Sequence, residues 1–292
     1  MNTNFQGTGV AIVTPFHNYG TIDFSGLERL LHHVLDGGVN YIVSLGTTSE
    51  APALTTDEKQ AVMHFVKETV NGRVPVVMGI GGNSTHTVVG TIKNTDFDGV
   101  DAILSVTPYY NKPNQKGIYN HFKNVAAASP VPVILYNIPG RTASNIAAET
   151  TLQLAHDFKN IVAVKEASGD LAQVMEILRQ KPKDFQVLSG DDALTFPMMT
   201  LGASGVISVL ANVLPQPFTQ MVNLLLQNKI TKAREIHYSL LPVMQQLFAD
   251  GNPAGIKAAL EIKGIIKNNL RLPMVKANKA VYFALQKLLR EF

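Results

Sequence analysis

Apolar residues are gathered in short runs that recur along the chain at intervals of roughly 25 to 35 residues. Runs of this length that are bounded by turns are typical of buried strands in a parallel sheet. The eight runs are residues 9–13, 41–45, 74–80, 102–106, 131–136, 161–164, 185–188 and 205–209. Between them, apolar residues are spaced three and four apart, as at Leu27, Leu30, Leu31 and Val34. This spacing predicts amphipathic helices between the strands.

Eight strands that alternate with helices predict a (β/α)8 TIM barrel. A doubly wound open sheet is the alternative, but it usually has a glycine-rich phosphate loop after its first strand, and Thr14-Pro15-Phe16 is not one. Residues 214–228 are predicted to form the last barrel helix. Beyond them only helical patterns occur, over residues 230–249, 253–263 and 276–290. We therefore predict a barrel domain over residues 1–229, which carries the active site, and a C-terminal helical domain over residues 230–292.

Composition narrows the possible classes of protein. Of the 292 residues, 46% are hydrophobic and 16% are charged, which indicates a chain that forms a core. The formal net charge of +3 comes with no basic block, so nucleic acid is not an expected partner. The absence of cysteine excludes disulfides and thiolate metal sites. No signal peptide or membrane span is evident, so we expect a cytoplasmic protein with no membrane partner.

A lysine follows the sixth apolar run. Ile161-Val162-Ala163-Val164 leads directly into Lys165, and a small polar turn comes after it. If Lys165 faces the mouth of the barrel, the alternation of side chains along a strand places Glu166 toward the helices or the rim. Burial at a strand end favours the neutral amine, which is a nucleophile toward a carbonyl carbon and forms a Schiff base. The alternative is an ordinary lysine whose stem lies along the strand while its ammonium reaches water. Active sites of such barrels lie at the C-terminal ends of the strands, so the other strand ends test this interpretation.

The second strand ends in Gly46-Thr47-Thr48-Ser49-Glu50. The hydroxyls and backbone N–H groups of this turn can hold a small carboxylate. The alternative is a capping box, with Thr47 as the N-cap and Glu50 three residues later. The two interpretations are compatible.

Phenols and an arginine follow the fourth and fifth strands. Tyr109 and Tyr110 come after the fourth, in a turn with a proline on each side, and either could transfer protons or only pack. Tyr136 ends the fifth strand, and Arg141 follows it closely. The arginine either binds a substrate carboxylate bidentately or is a solvated residue of a Pro-Gly turn. Hydroxyls, phenols and an arginine at neighbouring strand ends favour a site centred on Lys165. No metal-binding motif is present.

Three motifs then resemble a known family, the pyruvate-dependent class I aldolases to which N-acetylneuraminate lyase belongs. They are Gly-Thr-Thr-Ser-Glu at residues 46–50, Tyr-Asn-Ile-Pro at 136–139 and Lys-Glu-Ala-Ser-Gly at 165–169. The resemblance covers nearly the whole chain. Arg141 and the segment at 107–113 favour the branch that condenses pyruvate with L-aspartate 4-semialdehyde, in L-lysine and diaminopimelate biosynthesis. A sibling aldolase acting on sialic acid or a keto-sugar acid is the nearest rival, and a non-catalytic barrel that binds a carboxylate is the other.

The resemblance implies a role for each matching residue. Lys165 forms the imine with pyruvate, so no cofactor and no metal are needed. Tyr136, Thr47 and Tyr110 form a hydroxyl relay that moves protons. In the family the second tyrosine comes from a neighbouring subunit, so a homo-oligomer is expected: a dimer at least, and a tetramer built as a dimer of dimers. The implied substrate-binding residues are Thr48, Arg141, Gly190 and Ile207.

One departure from the family concerns regulation. Members that are inhibited by lysine carry a histidine and a glutamate at an interface site, and Thr56 and Thr87 stand at the matching positions. Asn83 matches a position that the family keeps in that site. We therefore expect weak or absent feedback by L-lysine.

Overall fold

The computed structural model describes residues 4–292. The strands are β1 (Gly7–Ala11), β2 (Tyr41–Ser44), β3 (Val76–Gly79), β4 (Ala102–Val106), β5 (Val133–Asn137), β6 (Ile161–Glu166), β7 (Gln186–Ser189) and β8 (Gly205–Ser208). The helices are α1 (Phe24–Asp36), α2 (Thr56–Val70), α3 (Thr85–Lys93), α4 (Gln115–Ala128), α5 (Pro139–Thr142), α6 (Ala148–Asp157), α7 (Leu171–Gln180), α8 (Thr195–Thr200), α9 (Pro215–Leu226), α10 (Ile230–Phe248), α11 (Ala254–Ile262) and α12 (Lys279–Leu288).

The eight strands form a closed barrel in chain order, and helices follow the strands. This arrangement confirms the predicted (β/α)8 TIM barrel and shows that the open-sheet alternative was wrong. All eight predicted strands are present, and no strand end is displaced by more than two residues. The sixth strand is longer than predicted, because it continues through Lys165 and Glu166 instead of stopping at residue 164. The lysine is therefore part of the ladder of strand hydrogen bonds.

By its contacts the chain divides into two compact units. The first contains Pro75–Ile207, together with the segment that ends at Gln6. It holds β3 to β7 in consecutive parallel pairs, with a buried apolar core that includes Ile134, Val164 and Val187. The N-terminal segment joins this unit where the Phe5 N–H donates to Gln186 Oε1 at 2.9 Å.

The second unit contains Gly7–Val74 and Ser208–Phe292. It holds β1 and β2, which pair in parallel, and the helices α1, α2 and α9 to α12. Helix α2 begins with a capping box in which Thr55 and Glu58 satisfy each other's backbone N–H groups. The C-terminal helices that we predicted after residue 230 are present, and α10 packs against α9 and α12. None of the helices within residues 4–292 is long and apolar enough to cross a membrane.

Candidate active site

Lys165 and Tyr136 lie side by side on neighbouring strands. They are register partners in the β5–β6 pair, and each is only 5% exposed. The Lys165 Nζ atom lies 4.3 Å from the centroid of the Tyr136 ring. Register partners in a parallel pair point to the same face of the sheet. The strand pairing therefore brings a buried amine and a phenol together, as the sequence predicted.

The next pair in the same register points to the other face. Asn137 and Glu166 are register partners, and the Asn137 Nδ2 atom donates to both carboxylate oxygens of Glu166, at 3.0 and 3.2 Å. The carboxylate also accepts from Gln173 Nε2 on α7, at 3.0 Å, and from the Ser168 N–H, at 2.7 Å. Glu166 is 1% exposed and faces the helices, as its place next to Lys165 predicted.

Gly190 makes room for the lysine side chain. It follows β7, and its N–H donates to the Glu166 carbonyl at 2.8 Å. A Cβ atom at this position would lie 3.1 Å from both Cε and Cγ of Lys165 and 2.7 Å from the Ala167 Cβ. Any larger residue would therefore clash with Ala167 and crowd the lysine side chain, and this close approach is the reason for glycine here.

The other predicted residues of the first unit lie on separate segments. Arg141 is an exposed residue of the short helix α5, which begins at Pro139 and follows β5 directly. Tyr110 is 84% exposed and has a backbone φ of 76°, in the left-handed region that a non-glycine residue rarely adopts. Ile207 is buried within β8.

The turn after β2 belongs to the second unit. Thr47–Ser49 forms a 3₁₀ helix, and Thr48 is buried while Thr47 is partly exposed. The proposed capping box at Thr47 was wrong, because Thr47 lies inside this helix and the N-cap position, Gly46, makes no side-chain cap. Glu50 instead has a φ of 56° and pairs with Lys257, so its carboxylate is not available for a cap.

Comparisons with known proteins assign the chain to a family. The model of the dihydrodipicolinate synthetase family matches residues 4–292. The chain belongs to the dihydrodipicolinate synthetase family. A 4-hydroxy-tetrahydrodipicolinate synthase from Flavobacterium psychrophilum is 52% identical to it, over 94% of each chain. The predicted enzyme type, a 4-hydroxy-tetrahydrodipicolinate synthase, is confirmed at this level of similarity.

Solved structures of dihydrodipicolinate synthases have the same fold. The enzyme from Thermotoga maritima has a TM-score of 0.96 and 40% identity, and the match covers 98% of both chains. The chloride-inhibited enzyme from Acinetobacter baumannii, solved in complex with pyruvate, has a TM-score of 0.95 and 36% identity, over 99% of both chains.

Sequence reasoning missed two features of this dihydrodipicolinate synthetase family member. It gave no role to Glu166, and it did not predict the buried ion pair between Glu50 and Lys257. A signal for the second exists, because Lys257 is the only charged residue in the apolar segment Ala-Gly-Ile-Lys-Ala-Ala-Leu at 254–260. A lone cation in such a segment indicates either burial with a partner or a solvated ammonium, and the sequence does not name the partner.

The side chains at the strand ends indicate what the site can do chemically. Within the described residues, no group of three or more histidine, aspartate or glutamate side chains could hold a metal ion. A buried amine can attack a carbonyl carbon, and a phenol can both donate and accept a proton. The Lys165–Tyr136 pair has both capacities.

Proposed function

We propose that the protein condenses pyruvate with L-aspartate 4-semialdehyde through an imine on Lys165, to give 4-hydroxy-tetrahydrodipicolinate for L-lysine and diaminopimelate biosynthesis. The observation that carries the proposal is the position of the Lys165 Nζ atom, buried at a strand end 4.3 Å from the Tyr136 ring centroid. The pyruvate in the Acinetobacter baumannii relative supports the choice of the first substrate.

The steps follow from the chemistry of an amine nucleophile. The Lys165 amine adds to the ketone carbon of pyruvate, and water leaves as the imine forms. The imine withdraws electrons, so the methyl group loses a proton and an enamine results. The enamine carbon attacks the aldehyde of the second substrate, whose oxygen is protonated. The amino group of that substrate then displaces Lys165 and closes the six-membered ring, which frees the enzyme.

Each proposed role matches the chemical type of its residue. Tyr136 accepts and returns protons near the imine, and Thr47 and Tyr110 extend this hydroxyl relay. Thr48 binds the pyruvate carboxylate together with the backbone N–H groups of its turn. Arg141 binds the carboxylate of the semialdehyde. Gly190 and the Ile207 backbone line the pocket, and Gly190 leaves space for the lysine.

Borohydride trapping tests the imine. Reduction in the presence of pyruvate should leave one covalent adduct per chain, and peptide mass spectrometry should locate it on Lys165. Lys165→Ala should abolish the adduct. Lys181→Ala is the matched control, because Lys181 lies in the same unit and is a partly buried lysine whose pKa is lowered by that burial. Trapping that persists in Lys165→Ala would discard the mechanism.

The rival substrate needs a separate assay. A sibling aldolase would cleave N-acetylneuraminate or a keto-sugar acid, and its imine would be trapped by borohydride as well. A coupled assay that compares L-aspartate 4-semialdehyde with N-acetylneuraminate separates the two, and we expect turnover of the semialdehyde alone. A non-catalytic carboxylate-binding barrel would give no adduct in the trapping experiment.

A homo-oligomer completes the proposal. Tyr110 is an aromatic residue exposed on a single chain and held in a left-handed conformation, which supports its use by a neighbouring subunit. We propose a dimer at least, and a tetramer built as a dimer of dimers. Sedimentation equilibrium should give the mass of an oligomer, and a monomeric species with full activity would contradict a role for Tyr110 across subunits.

A further inference from the structure

Lys257 is a buried cation whose contacts all hold it in place. Its side chain is fully buried on α11. The Nζ atom donates to Glu50 Oε1 and to the Asn269 carbonyl, the latter at 2.9 Å, and lies 4.2 Å from the centroid of the Phe16 ring. Burial lowers the pKa of the Lys257 ammonium to about 8, and the Glu50 carboxylate acts in the opposite direction. The carboxylate therefore offsets part of the cost of burying the positive charge.

Lys257 and Arg271, in the C-terminal part of the chain, bind the two oxygens of the Glu50 carboxylate. Oε1 accepts from the Lys257 ammonium, and Oε2 accepts from the backbone N–H of Arg271 at 3.0 Å. Glu50 itself ends the turn that contains Thr47 and Thr48, and its N–H donates to the Thr47 carbonyl at 3.2 Å. Its left-handed φ of 56° is a conformation that a glutamate adopts only when its surroundings impose it.

Asn252, also in the C-terminal part of the chain, binds the same turn at Thr48. The Asn252 Nδ2 atom donates to the Thr48 hydroxyl oxygen at 3.0 Å, and both residues are buried. Because the hydroxyl oxygen accepts this bond, its own proton points elsewhere and can be donated to an anion. Asn252 and Lys257 thus restrain Thr48 and Glu50, two residues apart in one turn.

A buried ion pair contributes little net stability on its own, since apolar residues of similar size often replace it without loss. The ion pair instead fixes the relative positions of the residues that it joins. We propose that Lys257 is a positioning residue: through Glu50 it fixes the turn of Thr47 and Thr48, and so sets the affinity for the pyruvate carboxylate without touching the substrate. The inference rests on the proposed function of this turn.

The test measures pyruvate binding and turnover separately. In Lys257→Met we expect the pyruvate concentration that half-saturates borohydride trapping to rise about tenfold, because the carboxylate donors lose their alignment. The KM for pyruvate should rise in parallel. The adduct at saturating pyruvate should stay at one per chain, and kcat should change much less, because Lys165 and Tyr136 are intact.

A second variant covers the case in which Lys257→Met does not fold because it leaves the Glu50 carboxylate buried and unpaired. Glu50→Met/Lys257→Met removes both charges, so we expect it to fold while the half-saturating pyruvate concentration stays about tenfold raised. Leu285→Ala, a cavity variant on α12 in the same unit, is the matched control. It should lower the thermal midpoint and leave half-saturation unchanged.

The possible outcomes distinguish a failure of the positioning role from a failure of the proposed function. Half-saturation at the wild-type concentration in the double variant, or in a folded Lys257→Met, would overturn the positioning role even if the thermal midpoint falls. If the wild-type protein gave no pyruvate-dependent adduct, the proposed function itself would fail.

Discussion

Asn137 and Glu166 are joined across β5 and β6 by hydrogen bonds from one amide nitrogen to both carboxylate oxygens, at 3.0 and 3.2 Å. They occupy the register position directly after Tyr136 and Lys165. The Lys165–Tyr136 pair faces one side of the sheet and the hydrogen-bonded pair faces the other. The hydrogen-bonded pair therefore links the two strands at the register position next to the one that places the Lys165 amine beside the Tyr136 ring.

Substitution of Glu166 should impair catalysis through this register. Glu166→Gln keeps the size of the side chain, but the new amide nitrogen is a donor that faces groups which are themselves donors. We expect this mismatch to lower the free energy of unfolding by about 1–3 kcal/mol. We expect kcat to fall about tenfold or more, since small displacements of a nucleophile are costly. Gln173→Ala, which removes one donor and leaves Asn137 in place, should have a smaller effect. Unfolding in urea and steady-state kinetics measure both quantities. Equal kcat in the two variants would contradict the assignment.

Arg141 should affect one substrate and not the other. Loss of a charge-assisted pair costs about 1.5–3 kcal/mol, so Arg141→Ala should raise the KM for L-aspartate 4-semialdehyde about 10- to 100-fold. The half-saturating pyruvate concentration for borohydride trapping should stay unchanged. Arg141→Lys should recover only part of the loss, because an ammonium cannot bind bidentately. Arg179→Ala, an exposed arginine paired with Glu176, is the control. A rise in the half-saturating pyruvate concentration in Arg141→Ala would contradict the assignment of Arg141 to the semialdehyde.

Acid should release the ion pair between Glu58 and Arg271. The Arg271 guanidinium hydrogen-bonds the Glu58 carboxylate at 2.5 and 2.7 Å and lowers its pKa to about 2, from an ordinary value of 4.5. Because the folded-state pKa is the lower one, the stabilisation is complete above the unfolded pKa and is lost as the pH falls toward 2. The free energy of unfolding of the wild-type protein should exceed that of Glu58→Gln by about 1–2 kcal/mol at neutral pH. The difference is this small because the pair is partly exposed to solvent.

Urea unfolding of both proteins at pH 7, 4 and 3 checks this prediction. The other carboxyl groups titrate in wild type and in variant alike, so the difference between the two proteins isolates Glu58. A difference that stays constant over this range would show that the ion pair does not stabilise the fold.

Feedback by L-lysine should be weak or absent. Thr56 begins α2 and Thr87 lies in the first turn of α3, and both are exposed and uncharged. A threonine hydroxyl binds an ammonium less strongly than a carboxylate does, because only the carboxylate adds charge to the hydrogen bond. Initial rates measured over a range of L-lysine test this, and half-maximal inhibition at sub-millimolar lysine would refute it. Thr56→His/Thr87→Glu should increase inhibition by lysine.

Sequence alone determined the architecture and singled out the lysine on which the candidate site is centred. Buried parallel strands are nearly continuous apolar runs, so eight of them separated by helical spacing specify the barrel without any knowledge of contacts. The same logic singled out Lys165 and Tyr136, because each lies at the end of such a run, and it predicted that Glu166 faces the helices or the rim, because side chains alternate along a strand. These properties are local, and local spacing encodes them.

The tertiary structure decided which residues serve as partners. The Gly46–Glu50 motif fits a capping box by its spacing, yet the Glu50 carboxylate is bound by Lys257, 207 residues further along the chain. Asn252 reaches Thr48 across a similar separation, and the amide of Asn137 meets Glu166 only because the strand register aligns them. A hydrogen bond depends on distance in space, which the order of residues does not contain. The chain thus encodes its barrel and the lysine at a strand end locally, while the contacts made by Asn137 with Glu166 and by Asn252 with Thr48 arise only on folding.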